Sequence, residues 1–315
     1  MTKTALICGI SGQDGSYLAS FLLSNKYTIW GTSRDVQGSS FSNLDYLEIK
    51  SEVRLITMIP EDFGSVLVAI QTSKPDEIYN LAGQSSVGLS FEQPSETIRS
   101  ILIGTLNLLE ACRMLNNGCK VYYAGSSECF GDTDGKPSDE STNFHPKSPY
   151  AVAKASAYWL VNNYRDSYGL FACTGILFNH ESPLRPSRFV TQKIISAAKR
   201  ISNGSNEILE LGPLNIYRDW GWAPEYVEAM WLMLQQNVAE DFVISTGEMN
   251  SLESFVEEVF IHFGLDWNNH VVQNFSYARP SELLMSVGNS NKAKLKLGWE
   301  PKFKMKDVIS KMIIG

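Results

Sequence analysis

The sequence predicts an α/β fold, a doubly wound parallel sheet with a smaller lobe interleaved with it. Three observations lead there. Short apolar runs rich in β-branched residues recur through the first 178 of 315 residues. Helix-length segments separate them, as crossover connections between parallel strands require. After Phe178 the rhythm changes to loops carrying Pro183, Pro186, Pro213 and Pro224, with helices between them. At 43% hydrophobic and 19% charged residues, the chain has apolar surface enough for a sizeable core.

In order, strands are expected at 4–10, 28–32, 53–58, 77–81, 120–124 and 171–178, with helices at 15–25, 66–72, 94–115 and 149–168. Each strand run is four to eight residues long and apolar on both faces, as a sheet covered on both sides demands. A further strand is expected at 242–246. We therefore expect a cofactor domain over 1–178 with a returning segment near 217–246, and a substrate-binding lobe from 179–216 and 247–315. No repeat or Gly/Ser linker separates the two, so they should pack as one body with a cleft between them.

The balance of 27 Lys+Arg against 34 Asp+Glu, a formal charge of −7, excludes a broad basic surface for nucleic acid. Any anionic ligand must be met by a local cluster. The five cysteines, Cys8, Cys112, Cys119, Cys129 and Cys173, lack CxxC spacing and lie in mostly apolar segments. That favours buried, reduced thiols over a disulfide frame, and no metal site is expected. His145, His262 and His270 show no metal-ligand spacing, and His180 is expected to be structural. No run of 18 apolar residues occurs, and the first apolar run is too short for a signal peptide, so a cytoplasmic protein without a membrane partner is expected.

Directly after the first strand comes Gly9-Ile10-Ser11-Gly12-Gln13-Asp14-Gly15, followed by the apolar face of Tyr17, Leu18, Phe21 and Leu22. Glycines three apart allow a tight turn and let backbone N–H groups approach a pyrophosphate at a helix N-terminus. At the first strand-helix junction this marks Gly9, Ser11, Gly12, Gln13, Asp14 and Gly15 as dinucleotide-binding residues, and the sheet as Rossmann-type. The second strand ends Ser33-Arg34-Asp35. A hydroxyl and a cation suit the 2′-phosphate of NADP, with Arg34 as its partner. The alternative is that Arg34 is a solvated loop charge and Asp35 takes the ribose hydroxyls.

Tyr150 and Lys154 stand four apart and so share one helical face. An ammonium beside a phenol stabilises phenolate and would lower the phenol towards the range of a general base. Ser126-Ser127-Glu128 follows the strand ending at Ala124, placing hydroxyls and a carboxylate at a strand's carboxyl end. Ser126 could hydrogen-bond a substrate hydroxyl beside Tyr150, while Glu128 could move a proton on a neighbouring carbon.

The glycine turn, Ser126 and the Tyr150/Lys154 pair together resemble the extended short-chain dehydrogenase/reductases that modify nucleotide sugars. Longer strings narrow the resemblance: Asn80-Leu81-Ala82-Gly83-Gln84-Ser85, Ser90-Phe91-Glu92-Gln93-Pro94, Gly175 to Pro183, and Arg218-Asp219-Trp220-Gly221. They are similar to the GDP-mannose 4,6-dehydratase family over essentially the whole chain. The resemblance implies an internal redox cycle. NADP takes hydride from C4 of the hexose as Tyr150 removes the hydroxyl proton, Glu128 abstracts the C5 proton, water leaves from C6, and hydride returns to C6. It also implies that Leu81 and Ala82 join Tyr150 and Lys154 at the cofactor. Gln84, Ser85, Asn179, Val190, Lys193, Arg218 and Arg279 are then expected to line the GDP-sugar site, with Leu211, Gly212 and Glu282 near the base and ribose.

Several positions depart from that family's pattern. Ser126 stands for the usual Thr, keeping the hydroxyl. Ile59-Pro60 replaces an Asp-Leu pair whose carboxylate meets adenine, leaving backbone groups or Asp62 for that purpose. Ser86 stands where His is common, and the cation-rich stretch that supports a tetramer is reduced to Arg34. A homodimer through the helices at 94–115 and 149–168 is therefore expected, with the homotetramer in doubt. A Ser-Glu pair also occurs in reductases and decarboxylases of the larger family. The readings that stay open are dehydration of GDP-mannose or a GDP-manno-heptose, a GDP-sugar 4-reductase or epimerase, and a binding protein without catalysis.

Overall fold

The computed structural model describes residues 2–315. Its centre is a seven-stranded, wholly parallel sheet in the order β11-β6-β5-β4-β1-β2-β3. The strands are β1 Thr4–Cys8, β2 Thr28–Ser33, β3 Val53–Thr57, β4 Glu77–Asn80, β5 Lys120–Ala124, β6 Ala172–Leu177 and β11 Phe242–Ile244. Short pairs lie outside it: β7 Asn179–Glu181 with β10 Trp220–Trp222, β8 Leu209–Leu211 with β13 Val271–Gln273, and β9 Tyr217–Arg218 with β12 Asn250–Ser251. The order reverses between β1 and β4, which opens a crevice at their carboxyl ends.

Alternation along β1 explains both layers. Ala5 and Ile7 pack with α1 (Gln13–Ser24) and, across the same face, α9 (Ala223–Gln235). Leu6 and Cys8 face the other way, into the core formed with α3 (Phe63–Ser73), α6 (Gly104–Leu115) and α7 (Pro149–Tyr168). The remaining helices are α2 Ser42–Tyr46, α4 Val87–Glu92, α5 Pro94–Ile98, α8 Val190–Ser202, α10 Leu252–His262, α11 Asn291–Leu297 and α12 Met305–Ile314. A third core belongs to the smaller lobe, where Ile194, Ile201, Phe255, Val259, Val308 and Met312 meet.

Two expectations need correction. The helix expected over 94–115 is broken by a π turn at Arg99–Ile103. Gly104 lies against Pro60, where a Cβ would come within 2.8 Å of the proline ring, and the Ser100 and Thr105 hydroxyls bond back to Glu96 and Ile101 carbonyls. The widened turn brings Ser100 Oγ to the Gln84 backbone N–H and Thr105 Oγ1 to Asn80, holding the loop after β4. The stretch 247–315 was also expected to belong wholly to the smaller lobe. Instead Ala293, Leu297 and Trp299 return to the core of the main sheet, because the 291–299 segment presents its apolar side to β11 and α9 while its lysines stay outside.

All five cysteines are buried and unbridged. No described helix is long and apolar enough to cross a membrane.

Candidate active site

A cavity of about 430 Å³ opens between the carboxyl ends of β4, β5 and β6 and the smaller lobe. Ser126, Glu128, Tyr150 and Lys154 all line it. Ser126 follows β5 and caps the short turn Ser127–Phe130, its Oγ accepting the Glu128 backbone N–H at 3.3 Å. Pro149 occupies the first turn of α7 and Ser148 caps it, accepting from the Ala151 N–H at 3.1 Å, so Tyr150 is fixed at a rigid helix start. Lys154 lies one turn on, with its Nζ 5.7 Å from the centre of the Tyr150 ring.

The electrostatics differ from the sequence expectation. Lys154 Nζ donates to the Ala124 carbonyl at 2.8 Å, and burial pushes the ammonium down to about 8. Burial likewise pushes the Tyr150 phenol up, opposed by the Ser126 hydroxyl and by the charge of Arg185. The ammonium is engaged by a carbonyl, and desolvation of the phenolate outweighs the groups that favour it. Burial also raises the Glu128 carboxyl, against the attraction of Arg218 and Arg279 and with the repulsion of Glu282.

The expected sugar-nucleotide residues converge on the same cavity. Gln84, Ser85, Asn179, Val190 and Lys193 line it, and so do Leu211, Gly212, Arg218, Arg279 and Glu282. Glu282 Oε1 holds both Arg218, at 3.0 Å, and Arg279, at 3.5 Å. Lys193 Nζ donates to the Glu210 carbonyl at 2.7 Å above the ring of Tyr277. Gln84 is occupied within its own loop, donating to the Ser86 carbonyl and to Thr97 Oγ1. Ser86 caps α4 through the Leu89 N–H.

Of the cofactor residues, Asp14 and Leu81 reach the cavity, while Gly9, Ser11, Gly12, Gln13, Gly15, Arg34 and Ala82 lie outside its lining. Gly9 takes φ +85°, and a Cβ there would stand 3.1 Å from the Ala82 backbone. A Cβ on Gly15 would meet the Gly9 carbonyl oxygen at 2.5 Å, so only glycine closes this turn. Gly12 caps α1 without a side chain, which leaves the first backbone N–H groups of the helix for an anion. These features fit a dinucleotide pyrophosphate. Ser11 gives its carbonyl to Asn43 of α2. The Gln13 side chain turns inward, donating to the His180 carbonyl and Asp14 and accepting from Ser182 Oγ at 2.7 Å.

His180 is structural, as expected. Its Nδ1 faces the Phe178 carbonyl at 2.7 Å and its Nε2 faces Asp14 Oδ2 at 2.9 Å. Both partners accept, so satisfying both nitrogens requires the imidazolium. Burial alone would raise the Asp14 carboxyl, but His180, with Gln13 and Arg185, holds it down to about 2. Burial likewise works against the imidazolium, yet Asp14 raises its pKa. Asp62, one candidate for adenine, is instead spent capping α3 through the Gly64 N–H. Trp220 packs on Phe255 and Trp222 lies beneath Lys311.

The sequence reading missed two cations at the cavity. Arg185 lies 3.7 Å over the Phe189 ring with Nε 3.1 Å from Glu181 Oε2, and Arg188 Nη2 reaches Ser85 Oγ at 3.5 Å. The only signal was a pair of arginines among the prolines of 183–188.

Sheet order, glycine turn and the Ser126/Tyr150/Lys154 group define a short-chain dehydrogenase/reductase of the extended type. Known proteins agree with this. The family model described as GDP-mannose 4,6 dehydratase matches residues 6–312. GDP-mannose 4,6 dehydratase 1 of Arabidopsis thaliana is 44% identical over 321 residues, covering 99% of this chain and 89% of that protein. Among solved structures, dTDP-glucose 4,6-dehydratase from Streptomyces venezuelae with NAD bound superposes with a TM-score of 0.88 at 21% identity, covering 99% of this chain and 96% of the other. RMD from Pseudomonas aeruginosa, complexed with NADPH, gives 0.82 at 22% identity over 99% and 98% of the two chains. The chain belongs to the GDP-mannose 4,6-dehydratase family.

Proposed function

We propose that the protein converts GDP-mannose to the GDP-4-keto-6-deoxy sugar, using NADP. One observation carries this reading: a carboxylate, Glu128, shares a single cavity with Ser126 and Tyr150, beside the cations Arg218 and Arg279. A dehydrogenase needs only the hydroxyl and the phenol, whereas loss of water needs a second acid/base on another carbon.

The dinucleotide would be held by the turn at Gly9, Gly12 and Gly15, by Leu81 and Ala82, by Tyr150 and Lys154 near the nicotinamide ribose, and by Arg34 at the 2′-phosphate. When bound in its oxidised form it supplies a hydride acceptor and a positive charge that favours the phenolate. Tyr150 then takes the proton of the C4 hydroxyl while Ser126 donates to that oxygen. Glu128 removes the C5 proton, acidified by the C4 ketone, and passes a proton to the departing C6 hydroxyl; return to C6 of the hydride taken from C4, with a proton delivered to C5, would complete the 4-keto-6-deoxy sugar without net redox change. Burial raises its pKa, which makes Glu128 a stronger base towards the C5 proton than an ordinary carboxylate. Arg218, Arg279 and Lys193 would meet the diphosphate, with Leu211 and Gly212 against the base.

The cofactor would sit on residues 1–178 and the returning segment 217–246, and the sugar nucleotide against 179–216 and the part of 247–315 that stays in the smaller lobe. Exposed Trp159, Tyr168 and Met114 on α7 and α6 support a homodimer through those helices. Mass spectrometry after incubation with GDP-mannose and catalytic NADP tests the proposal, with loss of one water and no net cofactor turnover expected. An untouched sugar, with water lost from a GDP-heptose instead, would keep the reaction and move the substrate. Stoichiometric consumption of NADPH would replace it with a reductase.

A further inference from the structure

The tip of β2 carries a feature that the reaction does not use. Arg34 Nη2 donates to Glu61 Oε1 at 2.7 Å and to Glu96 Oε1 at 2.8 Å. The two carboxylates arrive from different elements. Glu61 lies in the turn after β3, and Glu96 is on α5. Glu61 is largely buried, at 12% exposure, while Arg34 is half exposed. Among the described residues, Arg34 makes no hydrogen bond through Nε or Nη1.

Neighbouring groups are equally committed. Asp35 Oδ1 accepts the Gln37 and Gly38 N–H groups, both at 2.9 Å, closing a turn that keeps this oxygen from ribose hydroxyls. Ser33 Oγ pairs with Ser39 Oγ at 2.9 Å. A carboxylate free for NAD and a cation free for NADP are the two usual marks at this strand tip. Here one oxygen of the first is held in its own loop, and the second is outnumbered by two carboxylates.

We infer that Glu61 and Glu96 are specificity-determining residues that restrain the preference for NADP over NAD. The inference rests on the reading that the adenosine end of the dinucleotide lies at Arg34. A 2′-phosphate brings about two negative charges to a guanidinium already facing two carboxylates, and must share or displace them. The neutral ribose of NAD meets no such competition. The acids therefore weaken NADP binding without strengthening NAD binding, and they hold the enzyme closer to dual cofactor use than Arg34 alone would.

Calorimetric titration of the intact protein with NADP⁺ and with NAD⁺ tests this, comparing wild type, Glu61→Gln, Glu96→Gln, the double variant and Arg34→Ala. Glutamine keeps an acceptor for Arg34 and removes only the charge. The double variant should bind NADP⁺ about tenfold tighter, with NAD⁺ changed by less than about twofold. The gain should shrink at high salt, as competition between exposed charges must. If Arg34→Ala weakens NADP⁺ but the glutamine variants leave the ratio of affinities unchanged, or lower it, the inference fails and the cofactor placement stands. If Arg34→Ala affects neither cofactor, the placement itself falls.

Discussion

Tyr150, Lys154 and Glu128 are each moved from ordinary ionisation by the same cause, removal from water, and the consequences differ with the sign of the charge. The glutamine variant at position 128 separates the steps: oxidation at C4 should proceed while loss of water falls by at least about 100-fold. A 4-keto sugar that keeps its C6 hydroxyl, trapped by borodeuteride and identified by mass, checks this. The Asp14/His180 pair gives a second prediction. His180 has a raised pKa, so its stabilisation is complete below the unfolded value near 6.5 and is lost as pH rises through the folded value. Asp14, held down to about 2, keeps its share until pH falls towards that value. His180→Gln should therefore cost about 3 kcal/mol near pH 6 and less at pH 9, measured by urea unfolding at both. The four catalytic candidates were legible because each is a local pattern, a strand end or an i, i+4 pair. Arg185 was not legible, since its place at the cavity depends on how the chain runs after leaving the sheet at β6. The Lys154 bond to Ala124 was hidden because it depends on how α7 packs across the end of β5.

At the scale of elements, the turn from β1 into α1 assigns separate tasks to its glycines. A Cβ on Gly15 would press on the Gly9 carbonyl, whereas one on Gly12 would lie 3.5 Å from it, an ordinary contact, at φ −74°. Gly15→Ala should lower stability by about 1–3 kcal/mol. Gly12→Ala should change stability little and still weaken dinucleotide binding, by obstructing the pyrophosphate's approach to the helix. Paired unfolding curves and cofactor titrations distinguish the two. Strand positions were readable from apolar runs, most ending within a residue or two of the observed bounds. The π turn at 99–103 was not, because the groups packed around it, Pro60 against Gly104 and Asn80 and Gln84 on Thr105 and Ser100, come from distant parts of the sequence.

For the whole molecule, alternating strands and helices announce the parallel sheet and the return of the chain to it near 217–246, but neither the strand order nor the second return at 291–299. The smaller lobe's core draws on Ile194, Phe255 and Val308, while Tyr226, Phe242 and Trp299, from the stretches between them, pack on the main sheet. Nothing in local periodicity says which body a helix will join. The outer face of α7 makes its own prediction at this scale. Trp159 is 62% exposed, and Trp159→Glu should convert a dimer to a monomer by light scattering with an unchanged circular dichroism spectrum; a wild-type monomer would remove the proposed interface.

The alternation of the chain between its two bodies also limits how such a protein can diversify. Neither body corresponds to one uninterrupted stretch of gene, so no single crossover between relatives exchanges one body and leaves the other whole. New sugar preference is then more readily acquired by individual codon changes around the cleft than by exchange of a module, and chimeras built by splicing should need several junctions, placed where the polypeptide passes from one body to the other.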